Sequence, residues 1–179
     1  MSRIGEDLFF APGISFADLD FKHGRLPDQF YCRINGYYLE PAWQLARARK
    51  DFASGLLTVC AADALGGFIT GANAHRERMI GFFQSIDGLS TPELAGIFVD
   101  DFRNGLVHSA RVKSGGEFSS DIRVVAVRRG RSLAVNPGLL AKAVHARLAT
   151  YCVQVRRNPD DLKVLVTRLR RKFSVELRG

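Results

Sequence analysis

The sequence predicts an all-α fold, a helical bundle of about five helices with an inserted β-hairpin at about residues 122–135. Three observations carry that reading. Apolar residues recur at helical spacing through most of the chain, as at Leu45, Phe52, Leu56, Val59 and Leu65. Three segments open with a capping residue followed by proline: Thr91-Pro92-Glu93, Asn136-Pro137 and Asn158-Pro159-Asp160-Asp161. In each, a side-chain oxygen can accept an orphan N–H, and the proline occupies a position whose N–H has no partner in any case. Ile122–Val127 and Ser132–Val135 are β-prone runs, and the turn-forming Arg128-Arg129-Gly130-Arg131 joins them as a hairpin.

In chain order, residues 1–37 mix aromatics with breakers (Pro12-Gly13, Gly24, Pro27, Asn35-Gly36) and are expected to form an irregular N-terminal arm with at most one short element. Its Phe and Tyr side chains need cover, and the arm is expected to pack on the same domain, the alternative being a second subunit. Residues 38–179 are expected to be a single helical domain. Its helices are predicted from Pro41 to about Ile69, from Asn73 to about Ile86, from Thr91 to about Arg111, from Asn136-Pro137 to about Arg156, and from Pro159 into the basic run at Arg168, Arg170, Arg171 and Lys172. The last helix places acids at its start and cations at its end, as the helix dipole favours.

At 179 residues the chain fits one ordinary domain, and 46% hydrophobic with 25% charged residues is the composition of a chain that folds. The formal charge is +8, and twenty of the twenty-six cations are Arg. That balance favours polyanionic partners, because a guanidinium pairs bidentately with phosphate. Cys32, Cys60 and Cys152 are odd in number and lack CxxC spacing, so neither a disulfide framework nor a zinc site is indicated. No metal and no cofactor is expected, there being no His/Asp/Glu set with ligand spacing and no GxGxxG or Walker-type loop. The N-terminus lacks the apolar stretch of an export signal, and the apolar run Leu56–Ala72 is interrupted by Asp63 and glycines. A cytoplasmic protein with no membrane association is expected.

The chemistry concentrates on the helix from Thr91. On a wheel of about 100° per residue, Ala95, Phe98, Val99, Phe102 and Leu106 share one arc and face the core. Asn104 and His108 fall nearly opposite, with Gly105, and Arg103 flanks them. A histidine that titrates near neutrality can take a ribose 2′-hydroxyl proton or protonate a leaving 5′-oxygen, while Arg stabilises charge on the phosphate. Asn104 can orient the histidine or bind substrate. The plainer alternative is a solvated face on which Asp100 and Arg103, three residues apart, make a surface ion pair.

Phe102-Arg103-Asn104-Gly105-Leu106-Val107-His108 resembles the Arg-x(4–6)-His motif of the HEPN superfamily, including the polar residue after the arginine. The resemblance covers about residues 41–156. It implies a helical bundle, a homodimer that brings two copies of the motif together, and metal-independent RNA cleavage by Arg103 and His108 with Asn104 in support. It also admits a non-catalytic module that binds a nucleotide, RNA or a protein partner. The hairpin and the N-terminal arm depart from the family's pattern.

Four further residues form a second tier of binding candidates. Asp63 is an acid within an apolar helical stretch, where a carboxylate must be paired, and it is either a site residue or a salt-bridged structural one. Arg128, Arg129 and Arg131 at the expected hairpin tip can grip an RNA backbone, as can residues 168–172. Asn73, His75, Arg76 and Arg78 are read as a solvated helix start that can also suit a phosphate. His23 and His145 stand alone.

Overall fold

A computed structural model describes residues 3–4, 7–22, 24–70, 75–109 and 111–178, with the backbone alone described at Arg3, Ile4, Asp7, 107–109 and Arg178. The chain is mainly helical, as expected, and it carries two small sheets. In order, the elements are β1 (Arg3–Ile4), β2 (Asp7–Ala11), β3 (Ile14–Ser15), α1 (Leu26–Ile34), a π-helical stretch (Asn35–Leu39), α2 (Glu40–Arg47), α3 (Asp51–Ile69) and α4 (His75–Phe83). Then come α5 (Pro92–Ile97), a second π-helical stretch (Phe98–Arg103), α6 (Asn104–Ser109), β4 (Glu117–Phe118), β5 (Ala126–Arg129), β6 (Ser132–Val135), α7 (Pro137–Arg157), α8 (Pro159–Lys172) and a 3-10 turn (Glu176–Arg178). The chain divides into two compact units, residues 1–37 with 147–179, and residues 38–146.

The first unit corrects the expectation of an irregular arm. The strands Arg3–Ile4, Asp7–Ala11 and Ile14–Ser15 form an antiparallel sheet in the order β1-β2-β3, and helix α1 starts with Pro27 in its first turn. Asn35-Gly36 does not stop that helix, which widens into π geometry and continues. The arm's aromatics are covered by the chain's own C-terminal part. Phe10, Phe16 and Phe173 form a triad with ring centroids 5.5 to 5.7 Å apart, and the Arg33 guanidinium lies over Phe10 and Phe173. Burial pushes the Cys152 thiol up to about 12.

In the second unit, the helix expected from Pro41 to Ile69 is two helices. Ala48–Lys50 intervene, Arg49 adopts a left-handed φ of 57°, and α2 folds back on α3. The turn is fixed from outside: Arg49 donates to Asp121 at 2.7 Å, and Asp51 accepts the Ser120 N–H at 2.7 Å. Lys50 gives α3 no side-chain cap, so no local signal marks the break. α3 is long and apolar enough to cross a membrane by length and composition, although the apolar run alone suggested less, and half of its most apolar window is buried within the protein.

The cap-proline signals behave as expected. Thr91 accepts the Leu94 N–H at 3.2 Å, Asn136 the Leu139 N–H at 2.9 Å and Asn158 the Asp160 N–H at 3.0 Å. The hairpin is present with shifted bounds. Arg128 and Arg129 belong to β5, and the turn is the two residues Gly130-Arg131, with Gly130 at φ +59°, as tight hairpins require. β4, unforeseen in the expected loop, pairs parallel with β6. The start of the helix expected at Asn73 lies outside the described residues, and α4 ends at Phe83.

Candidate functional site

The helix from Pro92 to Ser109 is α-helical at both ends and π-helical between, and such wide turns frequently mark functional positions. Its inward residues are those the wheel predicts: Ala95, Phe98, Val99, Phe102 and Leu106 are buried. Phe98 and Phe102 stack with centroids 5.0 Å apart and an interplanar angle of 9°. The π-helical stretch turns Asp101 inward as well, where the carboxylate accepts the hydroxyls of Ser114 and Ser132, each at 2.9 Å.

One expectation fails on this helix. Gly105, placed by the wheel on the far side from the core, is buried, because the chain after α6 folds back over it. The Arg111 N–H donates to the Gly105 carbonyl at 3.3 Å and the Lys113 N–H to the Asp101 carbonyl at 3.0 Å. A methyl group at 105 would stand 2.4 Å from the Arg111 carbonyl oxygen.

Arg103 ends the π-helical stretch with its side chain only 15% exposed. Its NH2 donates to Asp63 Oδ2 at 3.1 Å, its NH1 donates to Asn104 Oδ1 at 3.1 Å, and its Nε is buried without a partner. The Asp100–Arg103 pair considered from spacing does not form. Asp100 instead takes Arg76 bidentately, at 3.1 and 2.7 Å, and that pairing raises the Arg76 pKa.

Asp63 is the hub of the cluster. From the middle of α3 it holds Arg103 with one oxygen and His75 Nε2 with the other, at 2.7 Å. His75 Nε2 is also 3.0 Å from Arg103 NH2. With Asp63 as the carboxylate, Nε2 carries the ring hydrogen, and two donors converge on one acid. One turn earlier on α3, burial, and secondarily Asp63, raise the Cys60 thiol pKa against the opposing effect of Arg103.

The structure thus brings together Asp63, Arg103 and Asn104, and adds His75, read from sequence as part of a solvated helix start that can also suit a phosphate. No pattern along the chain pairs it with Asp63, twelve residues earlier; the pairing comes from the packing of α4 against α3. The backbone places His108 one helical turn beyond Asn104 on α6, and its side chain lies outside the described residues, as do His23 and Asn73. His145 is not isolated. Its ring lies 5.0 Å from that of Trp43, and burial lowers its pKa.

The hairpin arginines stand apart from this cluster in their pairing. Arg128 donates to Glu93 at 2.6 Å and Arg129 pairs with Glu117, and both side chains remain about half exposed. Arg131, at the turn, lines an open cavity of about 610 Å³ with Arg76, Gly96, Ile97 and Asp100. Among the described residues, no group of three or more His, Cys, Asp or Glu is placed to hold a metal ion.

An anchored guanidinium beside an imidazole is a combination that can bind a phosphate and move a proton at the same place. Comparison with protein-family models, with curated proteins and with solved structures returns no match for this chain.

Proposed function

We propose that the chain is a HEPN-like, metal-independent endoribonuclease, with Arg103 and His108 as its catalytic residues, Asn104 in support, and a composite site completed by a second copy of the chain. The observation that carries this reading is the state of Arg103. Its guanidinium is largely withdrawn from solvent and oriented by Asp63 and Asn104, with an imidazole within 3.0 Å. Fixed orientation lets a cation stabilise the charge that develops on a phosphate without reorganising at the moment of reaction. A homodimer with an isologous interface doubles every residue on it, so that two motifs face one cleft. The formal charge of +8 suits a polyanionic substrate.

The test is cleavage of a fluorophore-labelled RNA by the purified protein in EDTA, alongside its mass in solution. The expected outcome is cleavage by a dimer, with Arg103→Ala and His108→Ala each losing about 100-fold or more of the rate. A monomer or dimer that leaves RNA intact in both forms overturns the reading. One observation favours the alternative of a non-catalytic binding module: Asp63 already neutralises Arg103. In that case Arg103→Ala weakens association with a nucleotide, RNA or protein partner, and there is no nuclease activity to lose.

A further inference from the structure

The proposed cleavage needs a group that removes the 2′-hydroxyl proton, and the described residues contain a histidine built for that task outside the motif. His75 sits at the first position of α4, its side chain 39% exposed, so it is both anchored and reachable. Its Nε2 is committed to Asp63 at 2.7 Å. That leaves Nδ1 as the nitrogen bearing a lone pair. A carboxylate on one imidazole nitrogen fixes the tautomer and the ring plane, and it stabilises the imidazolium formed when the other nitrogen takes a proton.

The surroundings decide what the ring can act on. From α3, Asp63 faces it, with Cys60 one turn behind. From the π-helical stretch, Arg103 reaches it at 3.0 Å, while Asp100 is occupied by Arg76. Its own helix adds Glu77 and Arg78, and α6 contributes Asn104, which is neutral and bonded to Arg103. Among these, Arg103 brings a guanidinium to 3.0 Å from the ring. A phosphate drawn to Arg103 therefore arrives beside His75.

We infer that His75, oriented by Asp63, is the general base of the cleavage, acting in the same chain as the Arg103 that binds the phosphate. The inference rests on the proposed ribonuclease function. In the step, the 2′-O–H bond breaks and its proton passes to His75 Nδ1, while the 2′-oxygen forms a new bond to phosphorus. The P–O5′ bond breaks, its electron pair stays on the 5′-oxygen, and His108 supplies the proton that oxygen takes up. The products are a 2′,3′-cyclic phosphate end and a 5′-hydroxyl end. His75 then releases its proton to solvent and His108 regains one, so nothing is oxidised or reduced.

Asp63 is a positioning residue in this scheme, and His75 is catalytic. The experiment measures single-turnover cleavage of a labelled RNA oligonucleotide in EDTA across about pH 5 to 9, the range in which imidazoles titrate. His75→Gln keeps a polar side chain of similar reach. It is expected to lose about 100-fold or more of the rate, to lose the rising limb of the pH profile, and to bind the RNA as before. Imidazole added to His75→Ala is expected to restore part of the rate, a rescue that a merely structural histidine would not show. Asp63→Asn is expected to slow cleavage with His75 still present.

A wild-type protein that cleaves RNA, together with a His75→Gln variant that matches its rate and pH profile, overturns the inference and leaves the proposed function standing. A wild-type protein that does not cleave ends both. Nitrogen NMR of the imidazoles in the unliganded protein gives a check that needs no activity. His75 should carry its hydrogen on Nε2, and a hydrogen on Nδ1 overturns the inference.

Discussion

Two arginine–aspartate pairs tie the helix between Pro92 and Ser109 to its neighbours, and they differ in the quantity that matters. The outer pair, Arg76 with Asp100, has the better geometry, with two hydrogen bonds at 3.1 and 2.7 Å. Its side chains are 57% and 48% exposed. The inner pair, Arg103 with Asp63, makes one bond at 3.1 Å, with exposures of 15% and 34%. Water screens the outer charges and competes for every donor, so a well-formed bond there contributes little. Inside, the guanidinium has already lost its hydration, and its partners replace that water. Burial therefore decides which pair the fold depends on, and the same withdrawal from water is what gives Arg103 its chemical use. The two ends of the helix follow suit: the outer end faces an open cavity, and the inner end is closed by the chain at 111–113.

The contrast breaks most readily at Gly105. A methyl group there meets a backbone carbonyl at 2.4 Å, with Lys113 at 3.3 Å, and backbone cannot swing aside as a side-chain tip can. Gly105→Ala is expected to cost about 3 kcal/mol, the upper end of overpacking penalties, as read from urea unfolding. The next largest effect is expected at Asp63. Removing it leaves the Arg103 guanidinium uncompensated, and because Asp63 is a third exposed, the loss should be about 2 kcal/mol rather than the full penalty of a wholly buried pair. Asp100→Ala is expected to cost about 0.5 kcal/mol by the same measurement. Equal losses at the two acids would show that burial is not the deciding quantity.

The sequence made the outer features of this comparison legible and hid the inner ones. Cap residues act within one turn, so Thr91, Asn136 and Asn158 announced their helices from local composition. The inward set Ala95 to Leu106 followed from periodicity, which is a property of one helix. Asp63 stood out because a carboxylate in an apolar stretch demands a partner, but its partners come from forty and twelve residues away, and no pattern along the chain names them. His75 was hidden for that reason. The burial of Gly105 depends on a loop returning over it, and the split of α2 from α3 depends on Asp121 and Ser120, seventy residues on. The pairing of β1, β2 and β3 was missed because strands of two to five residues leave too few positions for alternation to show.

The outer end should tolerate what the inner end cannot. A methyl group at Gly96 would meet only the tip of Arg76, at 3.6 Å, which is ordinary contact. Gly96→Ala is therefore expected to stabilise the protein by about 0.7 kcal/mol, since alanine loses less conformational freedom than glycine on entering a helix.

The smallest expected effect is the coupling between Arg76 and Asp100 themselves. A double-mutant cycle with Arg76→Ala and Asp100→Ala should give about 0.3 kcal/mol, and the value should shrink toward zero as salt is raised to about 1 M, where the screening length falls to about 3 Å. The same cycle on Arg103 and Asp63 should give a larger coupling that salt changes less, because a pair whose side chains are 15% and 34% exposed is screened less than one at the surface. If the two couplings fell together with salt, Arg103 would have to be as accessible to ions as Arg76, and the buried, pre-oriented cation on which the proposed chemistry depends would not exist in solution.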